Sequence, residues 1–163
     1  MKKVLILSDT HGCYDQFIEK QAQWADEIWH AGDWGEIEVA DSLSKHAPVR
    51  GVYGNIDDHV VRAEYKETAV FEVDGLKVAM LHIAGYPGRY NSKAKALIAR
   101  EKPDLFICGH SHILKVLKDP NGSHLHINPG AAGIKGFHKI RTMIRMVVRD
   151  GKAEQMEVVE IIR

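Results

Sequence analysis

Apolar residues along the chain follow two alternating rhythms. Val4 to Leu7 is an unbroken β-prone run, the pattern of a strand covered on both faces. From Tyr14 to Ala25 the spacing changes. Phe17, Ile18, Gln21, Ala22 and Ala25 recur at helical intervals and predict a helix. Glu27 to His30 reads as a short strand and Glu36 to Ala47 as a second helix, with Val39, Ala40 and Leu43 on one face. Pro48 stops that helix, and Val49 to Tyr53 is the next strand. Ala69 to Val73 and Leu76 to Leu81 flank Asp74-Gly75, a two-residue hairpin signal. Asn91 to Lys102 is a third helix ended by Pro103, and Asp104 to Cys108 a strand. The last third is β-rich. Ile113 to Leu117 and His124 to Ile127 form one hairpin, Asn128-Pro129-Gly130 a loop, and Ile140 to Arg149 with Lys152 to Ile162 a second hairpin. Strands alternating with helices and followed by hairpins predict a mixed, layered α/β structure in one domain over residues 1–163.

Composition narrows the function classes. Lys plus Arg and Asp plus Glu both number 22, so no net field favours a long polyanion, and extended nucleic-acid binding is not expected. The apolar run at the start stops at Ser8-Asp9, short of the roughly 7–15 residues of a secretory signal, and no stretch approaches the ~20 of a membrane span. The two cysteines, Cys13 and Cys108, stand far apart in no metal-ribbon pattern. These features predict a reduced, cytoplasmic protein with no membrane partner, and leave a homo-oligomer open. The unusual count is histidine, at ten.

Polar residues gather where strands end. Asp9, Asp33, Asn55, His82 and His110 each follow the carboxyl end of a predicted strand, the edge on which α/β sheets build their sites. Taken singly, Asp-x-His is a common turn and Gly-Asp and Gly-Asn are everyday loop dipeptides. Five strand ends each offering a ligand-competent residue are another matter. Asp9/His11 and His110/His112 are two apart, so in extended backbone both members of each pair would project to one side. Two metals about 3.5–4 Å apart need a bridging anionic oxygen, and Asp33 is the natural bridge. Mixed imidazole and carboxylate donors favour Mn, Fe, Co, Ni or Zn over Mg or Ca.

Asp9-Thr10-His11-Gly12, Gly32-Asp33, Gly54-Asn55-Ile56-Asp57, His82 and Gly109-His110-Ser111-His112 resemble the ordered motifs of the calcineurin-like metallophosphoesterases. Asn128-Pro129-Gly130 is similar to a loop of the small bacterial and archaeal members. The resemblance covers residues 4 to about 130. It implies a four-layer αββα sandwich of two mixed β-sheets flanked by helices. It also implies two divalent transition-metal ions, Mn2+ by preference. Asp9, His11, Asp33 and His112 would hold one, and Asp33, Asn55, His82 and His110 the other. Asp33, Asn55 and His82 would act in catalysis, a metal-bridging hydroxide hydrolysing a small phosphodiester, or a monoester, with a nucleotide among the substrates considered. The alternative is a protein-binding scaffold of the same fold, like the phosphoesterase-like subunit of the retromer coat.

Two departures bear on chemistry. Many relatives carry a histidine after Gly-Asn that protonates the leaving group; here Ile56 stands there, so acidic leaving groups are expected to be preferred. Ile83 follows His82 where a glycine is usual. His59 is the nearest substitute acid, with a surface role favoured. Asp57 and Asp58 are candidates either to orient imidazoles or to cap a short helix. Trp34 is placed in packing, with a pocket wall as its second role. Lys139, Arg141, Arg145 and Arg149 form a stripe read as a solvated face, and His30, His46, His124, His126 and His138 carry no ligand signal.

Overall fold

The computed structural model describes all of residues 1–163. Ten strands divide into two five-stranded sheets. In the first, β1 (Lys2–Leu7) is central, parallel to β2 (Glu27–His30), which is parallel to β3 (Val49–Gly51). On its other side β1 pairs antiparallel with β9 (Ile140–Arg149), and β9 with β10 (Lys152–Ile162). The second sheet has the order β4 (Thr68–Val73), β5 (Leu76–Leu81), β6 (Leu105–Ile107), β8 (Leu125–Pro129) and β7 (Leu114–Lys118). Its central pairs β5–β6 and β6–β8 are parallel and its outer pairs antiparallel. The predicted loop at Asn128 begins later than the sequence suggests, since β8 runs through Pro129 and pairs it with Leu114.

Both hairpin signals act as their chemistry requires. Asp74 and Gly75 have φ of 46° and 83°, and Asp150 and Gly151 of 49° and 75°, the positive pair that matches the right-handed twist of the flanking strands. The two turns also meet, Gly151 N–H donating to the Asp74 carbonyl.

Three apolar layers follow from strand alternation. Val4, Ile6, Trp29, Ile144 and Met146 of the first sheet face Val78, Met80, Leu105, Ile107 and Ile127 of the second. The opposite side chains of the first sheet, Leu5, Leu7, Ile28 and Met143, are covered by α1 (Gln16–Trp24), α2 (Ile37–Ser44) and α3 (His59–Glu64). Ala79, Leu81 and Phe106 on the outer side of the second sheet are covered by α4 (Ser92–Glu101). The result is the αββα sandwich that the family resemblance implied. Burial on both faces of β1, with Val4 to Leu7 all inaccessible, explains its unbroken apolar run.

Helix ends are set by side chains. Asp15, Asp58 and Asn91 accept backbone N–H groups of the first turns of α1, α3 and α4. Lys102 closes α4 in a left-handed conformation, φ 47°, and Pro103 prevents its continuation. No helix is long and apolar enough to cross a membrane.

Candidate metal centre

The site lies on the rim where the two sheets meet. The first sheet supplies the loops after β1, β2 and β3, carrying Asp9, Asp33 and Asn55. The second supplies His82 directly after β5 and His110 after β6. Backbone bonds weld these loops: Asp9 N–H donates to Gly32 O, His11 N–H to Asp33 O, and Gly109 N–H to His82 O.

The pairs converge, but not through extended backbone as their spacing suggested. Asp9, His11, Asp33, His110 and His112 all have positive φ, between 45° and 74°. For non-glycine residues this region is disfavoured, and such strain concentrates at functional sites. Tight left-handed turns, rather than strand pleats, aim these side chains at one another.

Two ligand groups result. Donor atoms of Asp9, His11 and His112 lie within 4.8 Å of one another, as do those of Asp33, His82 and His110. Asp33 also joins the groups, its Oδ2 standing 3.5 Å from His11 Nε2 and 3.3 Å from His82 Nε2. Asn55 stands beside the second group, its Oδ1 3.0 Å from His110 Nδ1.

Each carboxylate is half satisfied. Asp9 Oδ2 accepts from the Ser8 hydroxyl (2.6 Å) and His110 N–H (3.1 Å), while its Oδ1 is buried without a partner. Asp33 Oδ1 accepts from Ile56 N–H (3.1 Å), leaving Oδ2 toward the imidazoles. His82 Nδ1 lies 2.7 Å from the Ala31 carbonyl, which can only accept, so Nδ1 carries a proton and Nε2 is turned to Asp33. Nε2 atoms of His82 and His11 are buried and unpartnered too. Unpaired buried acceptors facing one another are costly and need a proton or a cation between them. Burial works to raise both carboxyl pKa values, yet the imidazoles beside them override it. Those of His11 and His112 hold Asp9 far below its usual range, and that of His82 lowers Asp33. Burial works to lower the His82 pKa, and the Asp33 and Asp9 carboxylates raise it instead. The donor set and its orphaned atoms fit divalent cations.

Other sequence expectations are redistributed. Asp58 caps α3, while Asp57 accepts from Gly35 N–H (2.9 Å) and Gly54 N–H (2.7 Å), tying the Asp33 and Asn55 loops together; neither bonds an imidazole. Trp34 does not wall a pocket. It is fully buried, donates to Val52 O, and stacks between His30 and Tyr65. Arg141 is not on a solvated face: it is buried, paired with Asp15 at 2.8 Å and bonded to Ala132 O. Arg145 pairs with Glu157 at 2.6 Å. His59 is exposed at the start of α3, and Cys108 is core, its thiol pushed up to about 12 by burial.

Two residues outside the predicted ligand set support it: His30, which carried no ligand signal, and Asn128, the first residue of the Asn128-Pro129-Gly130 motif. His30 Nδ1 accepts from Gly32 N–H, so its Nε2 donates to Thr10 Oγ1, which donates to Trp34 O. This chain fastens the Asp9 and Asp33 loops, and burial holds His30 neutral with a pKa of about 3. Asn128 donates to Gly109 O and Ser111 Oγ, bracing the turn that carries His110 and His112.

Known proteins resemble this chain in sequence and in fold. Residues 1–151 match the model of the calcineurin-like phosphoesterase superfamily domain. A probable metallophosphoesterase of Mycoplasma pneumoniae is 31% identical over 163 residues, covering 96% of both chains. Another from Methanothermobacter thermautotrophicus is 25% identical, covering 94% of this chain and 90% of its own. Among solved structures, an archaeal phosphodiesterase superposes with a TM-score of 0.73 at 23% identity over 99% of both chains. Zn2+-complexed Vps29 from Entamoeba histolytica does so with 0.73 at 18% identity over 98% of both. The chain belongs to the calcineurin-like phosphoesterase superfamily.

Proposed function

We propose that the protein hydrolyses small phosphate esters, diesters by preference, using two divalent transition-metal ions of the Mn2+ type. Asp9, His11, Asp33 and His112 would hold one, and Asp33, Asn55, His82 and His110 the other. The observation that carries this reading is the set of bare, buried acceptors, Asp9 Oδ1, His11 Nε2 and His82 Nε2, gathered around the Asp33 carboxylate. The hydrolase reading is supported by the family and by the phosphodiesterase neighbour.

Such ions, when bound, supply charge neutralisation for the phosphoryl oxygens and lower the pKa of water from 15.7 to roughly 7. The chain's own residues do the rest. Asp33 offers one oxygen to both ligand groups. His82 is locked in its tautomer and orientation by Ala31 O. Asn55 adds a neutral donor, so only two carboxylates counter the cations and the site stays attractive to an anionic ester. Water oxygen bonds to phosphorus, the opposite ester P–O bond breaks, and the water proton passes to solvent. Ile56, 46% exposed on the rim, cannot protonate the departing oxygen. Esters whose leaving group is stable as an anion should therefore react fastest. Free Cys13 and Cys108 are compatible with a cytoplasmic setting.

A screen of phosphomonoesters, diesters and cyclic nucleotides with Mn2+, with Asp33→Ala as control, tests the proposal. Metal-dependent turnover of bis-p-nitrophenyl phosphate, absent in the control, is expected. Undiminished turnover after chelation would overturn it. A metal-free scaffold, the other reading, would show no bound metal by elemental analysis.

A further inference from the structure

Two cavities open beside the Asp33 group. One, of about 340 Å3, has Asn55 and His82 in its wall, together with Tyr53, Asn91 and Lys93. The other, of about 250 Å3, has Gly109 and His110 in its wall, together with Tyr86, Ile113 and Lys115. Asn55 and His110 are in contact at 3.0 Å, so the cavities converge on one group of ligands. Ile83 is the residue common to both linings. It follows His82 in the chain, is 41% exposed and lines both spaces. A third depression adjoins His112, but the fully exposed Phe137 gives it little cover.

We propose that the two cavities receive the two ester arms of one phosphodiester, with Ile83 dividing them, and that the arm beside His110 is aromatic. The proposal rests on the phosphoesterase reading above. A phosphomonoester has one organic arm and would leave one cavity filled with water, whereas a diester has two arms on one phosphorus. Each cavity is many times the ~30 Å3 that a water occupies. The walls differ in chemistry. Beside His82, Asn91 and the Lys93–Glu67 ion pair make a polar lining suited to hydroxyl-bearing groups. Beside His110, Ile83, Tyr86 and Ile113 present exposed apolar surface. Lys115 Nζ sits 4.4 Å over the Tyr86 ring, bracing it and adding one positive charge for an acceptor on the arm's edge. A flat ring with polar edges satisfies all of these walls, and a nucleoside arm is one example.

The decisive substrates share a hexafluoroisopropoxide leaving group, about as acidic as a phenolate but not aromatic, and differ in the other arm, methyl against phenyl. With Mn2+, wild-type protein is expected to turn over the phenyl ester with kcat/KM roughly tenfold above the methyl ester. Ile83→Ala, at an exposed position that does not challenge folding, should shrink that ratio at least threefold by merging the cavities. Calorimetric titration with diphenyl and dimethyl phosphate, checked by product analysis to remain intact during the measurement, should show the same preference as binding. Equal kcat/KM for the two hexafluoroisopropyl esters, equal calorimetric affinities, or a ratio unmoved in Ile83→Ala would overturn the two-arm assignment and leave the hydrolase intact. Absence of metal-dependent turnover of either ester would overturn both.

Discussion

Asp33 Oδ2 stands 3.5 Å from His11 Nε2, although the two residues belong to different ligand groups. That contact makes Asp33 the residue whose loss should be felt on both sides. Asp33→Ala is expected to lose both metals and all turnover. His112→Ala should lose only the ion held with Asp9 and keep the one held by Asp33, Asn55, His82 and His110. Elemental analysis after gel filtration in excess Mn2+ separates the outcomes. Two ions retained by Asp33→Ala would remove Asp33 from its bridging role.

The Asp33 loop is held by close backbone approach, and at Gly54 that approach is to Asp33 itself. A Cβ at position 54 would run into the Asp33 backbone nitrogen and Oδ1. Backbone cannot swing aside as a flexible side-chain tip can, so Gly54→Ala should displace the carboxylate. We expect a fall in metal affinity of about 10- to 100-fold and a stability loss of about 1–3 kcal/mol. Gly88→Ala, whose Cβ would meet no atom within 4 Å, is the control for affinity, although its φ of 90° carries strain of its own. Competitive titration with a fluorescent chelator measures the affinities.

What could be read in advance was whatever strand ends and residue types determine. Asp9, Asp33, His82 and His110 sit at strand termini whose apolar runs were plain, so their convergence on one rim was foreseeable. Their aim was not. Left-handed φ at Asp9, His11 and His110 arises from turn packing between two sheets, and a Gly-rich neighbourhood hints at it without assigning it. Long-range pairings were hidden for a similar reason. His30 looked like the last residue of a strand, yet its ring binds Thr10 and stacks at 3.7 Å on Trp34. Arg141 looked solvated from strand alternation alone, but the side chain of Asp15, 126 residues away, pulls it under α1. Local periodicity carries no information about partners that far apart in the chain.

Ile56 leaves room to restore an acid. Its backbone N–H bonds to Asp33 Oδ1 and its side chain is free on the rim, so Ile56→His should keep the metal group intact. A histidine there would protonate the departing oxygen. General acids contribute typically 10²–10⁴-fold, and kcat/KM for alkyl phosphodiesters should rise by about 10²-fold. Esters of p-nitrophenolate need no protonation and should change little. The alkyl substrates should also acquire a falling limb of rate above the new imidazole's pKa, absent in the wild type. A uniform change across both substrate classes would show that the histidine acts by position or packing instead.

His126 provides a test of stability against pH away from the metal group. It is buried in the second sheet, Nδ1 2.7 Å from Tyr90 Oη and Nε2 3.7 Å from Cys108 Sγ. Burial, helped by His124 and Lys115, lowers its pKa from 6.5 to about 4. The unfolded chain therefore binds this proton near pH 6.5 while the native protein refuses it until near pH 4. Stability is fully present above pH 6.5 and falls as the pH drops toward 4, by up to about 3 kcal/mol from this residue. His30, neutral to about pH 3, adds to the same slope. His126→Asn, whose side-chain amide can still hydrogen-bond Tyr90 Oη, should be less stable at pH 7 yet lose less on going to pH 5. Denaturant melts of chelator-treated protein at the two pH values measure both numbers, and an unchanged pH slope in the variant would show that His126 titrates alike in the native and unfolded states.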